Sequence, residues 1–95
     1  MRNLIISKLR PRIIGQIDAY ANGDMWTITV TRTYAYLQPY DDVAIRIPTT
    51  VPVKYYEVTA RATFKWQDFY YDLDKVIERI NAELEFHYAQ ALKRD

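Results

Sequence analysis

His87 is the single histidine of this 95-residue chain, and an imidazole is the side chain best suited to acid–base chemistry near neutral pH. A catalytic base also needs a nucleophile or an acid partner within hydrogen-bond reach. The chain contains no cysteine, and no serine or metal-ligand constellation accompanies the histidine. We therefore interpret His87 as a partly buried residue that fills the core through its ring.

Two pairs of carboxylates are the other candidates for chemistry. Asp41 and Asp42 follow a proline and a tyrosine, in a composition typical of a turn. Asp72 and Asp74 lie early in a predicted helix, where acidic side chains suit the helix macrodipole. The chain has neither a glycine-rich phosphate loop nor a nucleophile elbow. We therefore expect no catalytic residues, no cofactor and no metal, and we do not interpret the protein as an enzyme.

The last quarter of the chain carries the strongest secondary-structure pattern. Apolar side chains recur at three- and four-residue steps between Asp68 and Lys93, the spacing of one face of an α-helix. Asp68 is the expected N-cap, since its carboxylate can accept backbone N–H groups of the first turn. The pattern predicts one amphipathic helix about 38 Å long. Its predicted apolar face comprises Phe69, Leu73, Val76, Ile77, Ile80, Leu84, His87, Tyr88 and Ala91.

Residues 3–21 admit two interpretations. Asn22-Gly23 is a strong hairpin signal, which would pair Ile14–Ala21 with Met25–Val30. We favour a helix instead, because helical spacing extends over more residues than any alternation does. Pro11 would kink that helix or begin a second one. The residues at helical spacing are Ile5, Leu9, Ile13, Ile17 and Tyr20.

A period-two pattern predicts the strands. Between Met25 and Leu37, threonines alternate with aromatic and β-branched residues. Gln38–Asp42 has the composition of a turn, and Val43–Ile47 alternates as a short second strand. Tyr56–Trp66 alternates again and makes the predicted third strand.

Prolines interrupt the segment between the predicted second and third strands. Pro48 and Pro52 bracket three residues that we interpret as an extended connection or an edge. Val53 and Val58 have opposite parity along the chain, so a β-bulge is expected near Glu57.

The order of elements predicts the fold class. We expect one α+β domain over residues 1–95, with a three-stranded antiparallel meander and two layers. The N-terminal helix and the long C-terminal helix would both cover the apolar face of the sheet. The predicted core consists of Ile13, Ile17, Trp26, Ile28, Val30, Val58, Ala62, Phe64, Leu73, Val76, Ile77, Ile80 and Leu84.

Composition limits the classes of function. The formal net charge of +1 provides no long-range attraction to nucleic acid or to an anionic membrane. No apolar run reaches the ~18 residues that a membrane span needs, so we expect no membrane partner. The absence of cysteine excludes disulfides and fits a cytoplasmic protein.

Nucleic-acid binding is the alternative that the basic residues suggest. Three of them form an N-terminal cluster, and two project among threonines from the open face of the predicted sheet. The aromatic residues Phe64 and Trp66 have the opposite parity, so stacking groups and charges would not share a surface. We therefore do not expect nucleic acid as the partner. The residues concerned are Lys8, Arg10, Arg12, Arg61 and Lys65.

Apolar and aromatic residues outside the predicted core indicate a protein partner. Phe86 points away from the apolar face of the C-terminal helix, and small alanines flank it. The nine tyrosines are too many for so small a core, and tyrosine is enriched at interfaces. The candidate partner-binding residues are Phe86, Ala82, Ala89, Tyr71, Tyr34, Tyr36 and Tyr40.

Arg32 is an anomaly, because it places a charge on the apolar parity of the longest strand. A buried charge needs a partner, and we expect Glu57, Asp18 or a strand-end position facing water to supply one.

The predicted function is that of a non-catalytic protein-binding domain, an inhibitor or adaptor of one larger partner protein. The alternative is a self-assembling structural subunit that binds a second copy of itself. In style, the short, tyrosine-rich and cysteine-free chain resembles proteins encoded by viruses of bacteria. That resemblance covers no aligned motif, and it would place the protein in the cytoplasm of the host cell.

Overall fold

The computed structural model describes residues 1–40 and 49–94, with side-chain environments described outside 38–52. Three strands and three helices form in these residues. In chain order they are α1 (Arg2–Leu9), β1 (Gln16–Asn22), β2 (Met25–Tyr40), β3 (Thr49–Lys65), α2 (Trp66–Tyr71) and α3 (Leu73–Arg94).

The strands form one open antiparallel sheet in the order β1-β2-β3. Asn22 pairs with Met25 across the first turn, where Gly23 adopts a φ of 66°. That left-handed conformation is one that glycine adopts without steric cost. β1 pairs with β2 only as far as Thr31, whereas β3 pairs with β2 over the whole of both strands.

The core lies between one face of the sheet and the helices. α1 contacts β1, and α3 lies mainly over β3. Alternate residues of each strand point into the core, and none of the helices in the described ranges covers the other face of the sheet. The buried apolar residues are Ile5, Ile6, Leu9, Ile13, Ala19, Ile28, Val30, Val58, Ala60, Ala62, Phe64, Phe69, Val76, Ile77, Ile80 and Leu84.

The predicted fold class is confirmed: the protein is α+β, with a three-stranded antiparallel sheet, an N-terminal helix and a long C-terminal helix. Most of the predicted core is also buried. Ile17, Trp26 and Leu73 are only partly buried and pack against the edge of the core. The predicted strand Val43–Ile47 lies outside the described residues.

The preferred helix over residues 3–21 is wrong beyond Leu9. The helix ends there, and Gln16–Asn22 is the first strand of the sheet, as in the hairpin alternative. Gly15 explains part of the change, because its φ of 138° is incompatible with a continuing helix. Pairing with β2 and burial of Ala19 then outweigh the weak local preference.

The predicted single C-terminal helix is interrupted at Asp72, whose φ of −124° and ψ of 46° lie outside the helical region. Asp72 occupies the N-cap position of α3, and its carbonyl accepts the first intrahelical hydrogen bond from the Val76 N–H at 3.1 Å. Asp68 is not an N-cap as predicted. Lys65 precedes α2 in an extended conformation, and Asp68 lies in the first turn of α2.

Both long strands extend further than the pattern predicted. Gln38 to Tyr40 continue β2 instead of turning, and β3 begins at Thr49. The β-bulge is not near Glu57. The pairing shifts between Tyr36, opposite Lys54, and Leu37, opposite Pro52, so that one extra residue is inserted in β3.

The long strands give the molecule extents of 59 × 27 × 18 Å. A 22-residue helix such as α3 is about 33 Å long, whereas the 17 residues of β3 span about 56 Å. β2 and β3 therefore continue as a two-stranded ribbon past the end of β1. We call this ribbon, Arg32–Tyr40 with Thr49–Val58, the hairpin arm.

Candidate functional site

Arg32 lies at the base of the hairpin arm and is held by four groups. Its Nε donates to the Ile14 carbonyl at 2.6 Å, and its two terminal nitrogens donate to the Tyr34 hydroxyl and the Asn81 Oδ1, each at 3.0 Å. Glu85 Oε1 lies 3.8 Å from the guanidinium. Only 14% of the Arg32 side chain is exposed. The expected partners, Glu57 and Asp18, are not the ones used, and α3 supplies the charge instead.

Tyr34 connects this network to an aromatic cluster. Its hydroxyl donates to Glu85 Oε1 at 3.0 Å, and its ring stacks on Tyr88, which also contacts Tyr56. Burial raises the pKa of the Tyr34 phenol; the hydrogen bond to Glu85 also raises it, and the one from Arg32 lowers it. Tyr34 therefore anchors the arm to α3 and is partly buried, and its part in partner binding stays a prediction.

Beyond this anchor, the outer edge of β2 has no neighbouring strand among residues 1–40 and 49–94. β1 begins at Gln16, opposite Thr31, and in the part of the chain that the structure describes no strand continues along Arg32–Tyr40. A Cβ built on Gly15 would lie 2.5 Å from the Thr31 carbonyl oxygen, so that carbonyl points toward β1. Because backbone direction alternates in an antiparallel strand, Thr33, Ala35 and Leu37 point their N–H and C=O groups outward.

The positions of the prolines in the arm agree with this direction of the backbone N–H and C=O groups. Leu37 lies opposite Pro52 and Pro39 lies opposite Thr50. A proline has no N–H, and within a sheet it is found where that position faces away from the ladder. The odd-numbered residues of the β2 arm, including Pro39, therefore face outward. We call the outer side of Arg32–Tyr40 the free edge.

Exposed apolar side chains accompany the free edge. Leu37 is 52% exposed and Val53 is 50% exposed, and Tyr36 and Tyr55 are exposed as well. Ile14, where the chain leads into β1, is the most exposed of the isoleucines among the residues with described side chains. The hairpin arm thus combines the outward-facing backbone groups of Thr33, Ala35 and Leu37 with apolar surface, the two components of a strand-addition site.

The structure separates the other predicted partner-binding residues. Phe86 is 57% exposed, with its ring against His87 at 5.5 Å, and Ala82 and Ala89 are exposed on the same helix. Tyr71 is exposed on α2. Tyr36 lies on the free edge, and Tyr40 ends β2, with its side chain outside the described set.

The predicted basic residues do not form one surface. Arg61 and Lys65 are exposed on the open face of the sheet, opposite Thr29 and Met25. Lys8 and Arg10 belong to the helix side, and Arg12 pairs with Asp74 of α3. A nucleic acid would have to pass around the edge of the sheet to contact both groups.

His87 is an exposed residue and does not fill the core as expected. Its side chain is 44% exposed and lies 3.4 Å from Glu83, one helical turn earlier. Among residues 1–40 and 49–94 no group of three His, Asp or Glu side chains is arranged to hold a metal ion.

One surface was missed by sequence reasoning. Leu4 and Lys8 of α1 face Trp66, Phe69, Tyr70 and Leu73 across a shallow groove of about 360 Å³. Trp66 stacks against Phe69 at 5.8 Å and contacts Tyr70. The sequence shows that Trp66 and Tyr70 lie close together in the chain. It does not show that α1 packs beside them and forms the other wall of the groove.

In the described part of the chain, the helices are too short or too polar to cross a membrane. Comparison with protein families, with curated proteins and with solved structures gives no match for this chain.

Proposed function

We propose that the protein is a non-catalytic protein-binding domain that accepts an extended segment of its partner along the free edge. The observation that carries the proposal is that pairing of β2 with β1 stops at Thr31 while β2 continues to Tyr40. An isolated two-stranded ribbon is marginally stable in water. A third strand along Arg32–Tyr40 would complete the sheet there and cover the exposed Leu37.

The outer edge of β1, on the same side of the sheet as the free edge, supports this choice. On β1, the Arg2 Nε donates to the Ala19 carbonyl at 3.1 Å and to Asp18 Oδ1 at 3.2 Å. The side chain therefore occupies a carbonyl that an added strand would need. Blocking of this kind is how proteins prevent unwanted pairing of sheet edges. The free edge has no such block from Thr33 to Leu37, where all three outward-facing residues are uncharged.

The chemistry of the arm explains why the partner would be a protein. Backbone N–H and C=O groups recognise another peptide backbone, and alternate apolar side chains add specificity. Tyrosines such as Tyr36 and Tyr55 provide large contact areas with a polar tip. An inhibitor or adaptor of a larger protein and a self-assembling subunit would both use these groups, and a viral origin would be compatible with either.

A pull-down with two proline variants tests the proposal. Leu37→Pro removes one outward N–H from the free edge and leaves the β2–β3 ladder intact. Tyr55→Pro is the matched control, because Tyr55 lies opposite Ala35 and by the same alternation points its N–H to the outer side of β3. We expect the wild type and Tyr55→Pro to retain a bound protein, either a host protein or another copy, and Leu37→Pro to lose it.

Phe86→Asp tests the other exposed surface in the same experiment. Retention of the partner by Phe86→Asp together with its loss by Leu37→Pro would assign binding to the arm. Loss with Phe86→Asp alone would transfer the site to α3. A wild-type protein that retains neither a host protein nor a second copy, under conditions where far-ultraviolet circular dichroism shows a folded chain, would refute the proposal.

Nucleic-acid binding remains the alternative. If Lys8, Arg10, Arg61 and Lys65 contact phosphates, binding to a random oligonucleotide should fall steeply as salt rises. We expect no salt-sensitive binding in the sub-micromolar range. Such binding, lost on Arg61→Gln with Lys65→Gln, would favour the open face of the sheet over the arm.

A further inference from the structure

The length, hydrogen-bond pattern and uncharged side chains of the free edge limit which strand can pair with it. We propose that its occupant is the free edge of a second copy of this chain, so that two arms pair antiparallel about a two-fold axis at Tyr36. This inference rests on the proposed function and names the partner for the same site.

The length of the free edge limits the length and position of the strand that can pair with it. The edge left open by β1 runs from Arg32 to Tyr40, and an occupant that continued past Arg32 toward Thr31 would collide with the start of β1. Two such segments fit each other in antiparallel orientation when Arg32 lies opposite Tyr40 of the other copy. Tyr36 of one copy then lies opposite Tyr36 of the other copy, at the middle of the free edge.

The direction of the backbone groups also fits pairing with a second copy. In this register each outward-facing residue meets an outward-facing residue, as an antiparallel ladder requires. Ala35 exchanges two hydrogen bonds with Leu37 of the other copy, and the symmetric pair exchanges two more. The Thr33 N–H donates to the Pro39 carbonyl on each side. Pro39, which cannot donate, thus falls at the last position before β1 of the other copy.

The side chains are compatible with the two-fold axis. Between Thr33 and Tyr40 no residue is charged, so symmetry brings no like charges together. Arg32, at the end of the segment, is already held by Asn81, Tyr34 and Glu85. Residues that lie opposite each other without exchanging hydrogen bonds have Cα atoms about 4.5 Å apart, which would bring the two Tyr36 rings into contact.

Assembly would convert each marginal ribbon into part of a four-stranded sheet, in the order β3-β2-β2-β3. Three or more strands are what an independently stable sheet needs. The contact is isologous, so it closes at two copies and does not propagate into a fibre.

A single-cysteine experiment tests the axis, since the chain has no cysteine of its own. Tyr36→Cys places the two thiols at a Cα separation within the range of a disulfide. We expect mild oxidation to convert this variant into a covalent dimer of twice the 11.3 kDa chain mass. Tyr55→Cys, at an even more exposed position but on β3, is the control and should stay largely monomeric on denaturing gels.

Light scattering of the unmodified protein provides the second measurement. We expect a dimer for the wild type and Tyr55→Pro, and a monomer for Leu37→Pro. A monomeric wild type with no cross-link at Tyr36→Cys would overturn the inference, as would a dimer that persists in Leu37→Pro.

The two proposals fail differently. A monomeric protein that holds a different protein, and releases it on Leu37→Pro, would contradict self-pairing while supporting the free edge as a binding site. A protein that has no partner of any kind would contradict both proposals.

Discussion

The ring of Tyr34 stacks on the ring of Tyr88, with centroids 4.1 Å apart and planes inclined by 18°. Tyr34 lies on the hairpin arm and Tyr88 on the second half of α3, so this contact joins the arm to the helix layer. Arg32, next to it, donates to Asn81 and approaches Glu85 on the same helix. The direction of the arm therefore depends on one aromatic pair and one guanidinium.

Replacing Arg32 should destabilise the protein. Arg32→Met removes the donors to the Ile14 carbonyl, the Tyr34 hydroxyl and the Asn81 amide oxygen in one step. It also removes the positive charge that lies 3.8 Å from the Glu85 carboxylate. We expect a loss of about 2–3 kcal/mol in the free energy of unfolding, measured by urea denaturation. Arg32→Lys is the matched variant. Its single ammonium cannot reproduce the planar fork, so it should recover only part of the loss. Full recovery by lysine would show that charge alone matters.

Tyr34 should give the protein an alkaline instability. Its pKa in the folded state is raised above the ordinary tyrosine value of 10.0, so the folded state holds the phenol proton more tightly than the unfolded chain does. The resulting stabilisation is fully present below pH 10 and is lost as the pH rises through the folded-state pKa. Tyr34→Phe should flatten this decline in the denaturation midpoint. An identical decline in Tyr34→Phe would assign it to other tyrosines.

The helix face that covers the sheet can be tested at Ile80. The side chain is 1% exposed, and truncation of a buried isoleucine to alanine costs about 2–5 kcal/mol. We expect Ile80→Ala to lower the denaturation midpoint strongly. Phe86→Ala, on the exposed side of the same helix, should change the stability by less than about 0.5 kcal/mol. Equal effects of the two substitutions would contradict the orientation of α3.

The two glycines should respond differently to alanine. Gly15→Ala would place a Cβ 2.5 Å from the Thr31 carbonyl oxygen, at a φ of 138°. Gly23 has a φ of 66° and open space around the added atom, so Gly23→Ala should cost only about 1–2 kcal/mol. We expect Gly15→Ala to be the more damaging, because β1 must move away from β2. Thermal denaturation of both variants makes the comparison, and a milder effect at Gly15 would count against the observed start of β1.

The sequence predicted best those elements in which apolar residues follow a single helical or strand periodicity. The face from Val76 to Leu84 is buried as expected, because helical spacing over two turns leaves no competing alternation. In Gln16–Asn22 the alternation consists of Ile17 and two alanines, which is a weak signal beside the helical spacing of Ile13, Ile17 and Tyr20. Pairing with β2 decides that segment, and a single sequence does not display such pairing.

The candidate site was predictable only in part. Tyr36 and the unusual charge of Arg32 were visible in the pattern, but the partner of Arg32 lies 49 residues away at Asn81. The free edge depends on where β1 ends relative to β2, which is a property of register. Phe86 was identified correctly as exposed, because a strongly amphipathic helix defines both of its faces.

The pairing of β2 with β3, from Tyr40 and Thr49 at the tip to Met25 and Lys65 at the base, also has a kinetic consequence. The entropic cost of loop closure is smallest for the pair Tyr40 and Thr49, which has the fewest residues between its members. We therefore expect strand pairing to begin there and to proceed toward the helices. The arm would then form before β1 has docked and before α3 has covered the sheet. During that interval the whole outer edge of β2 is unshielded. A nascent chain therefore has a brief period in which it is most prone to associate with the wrong strand.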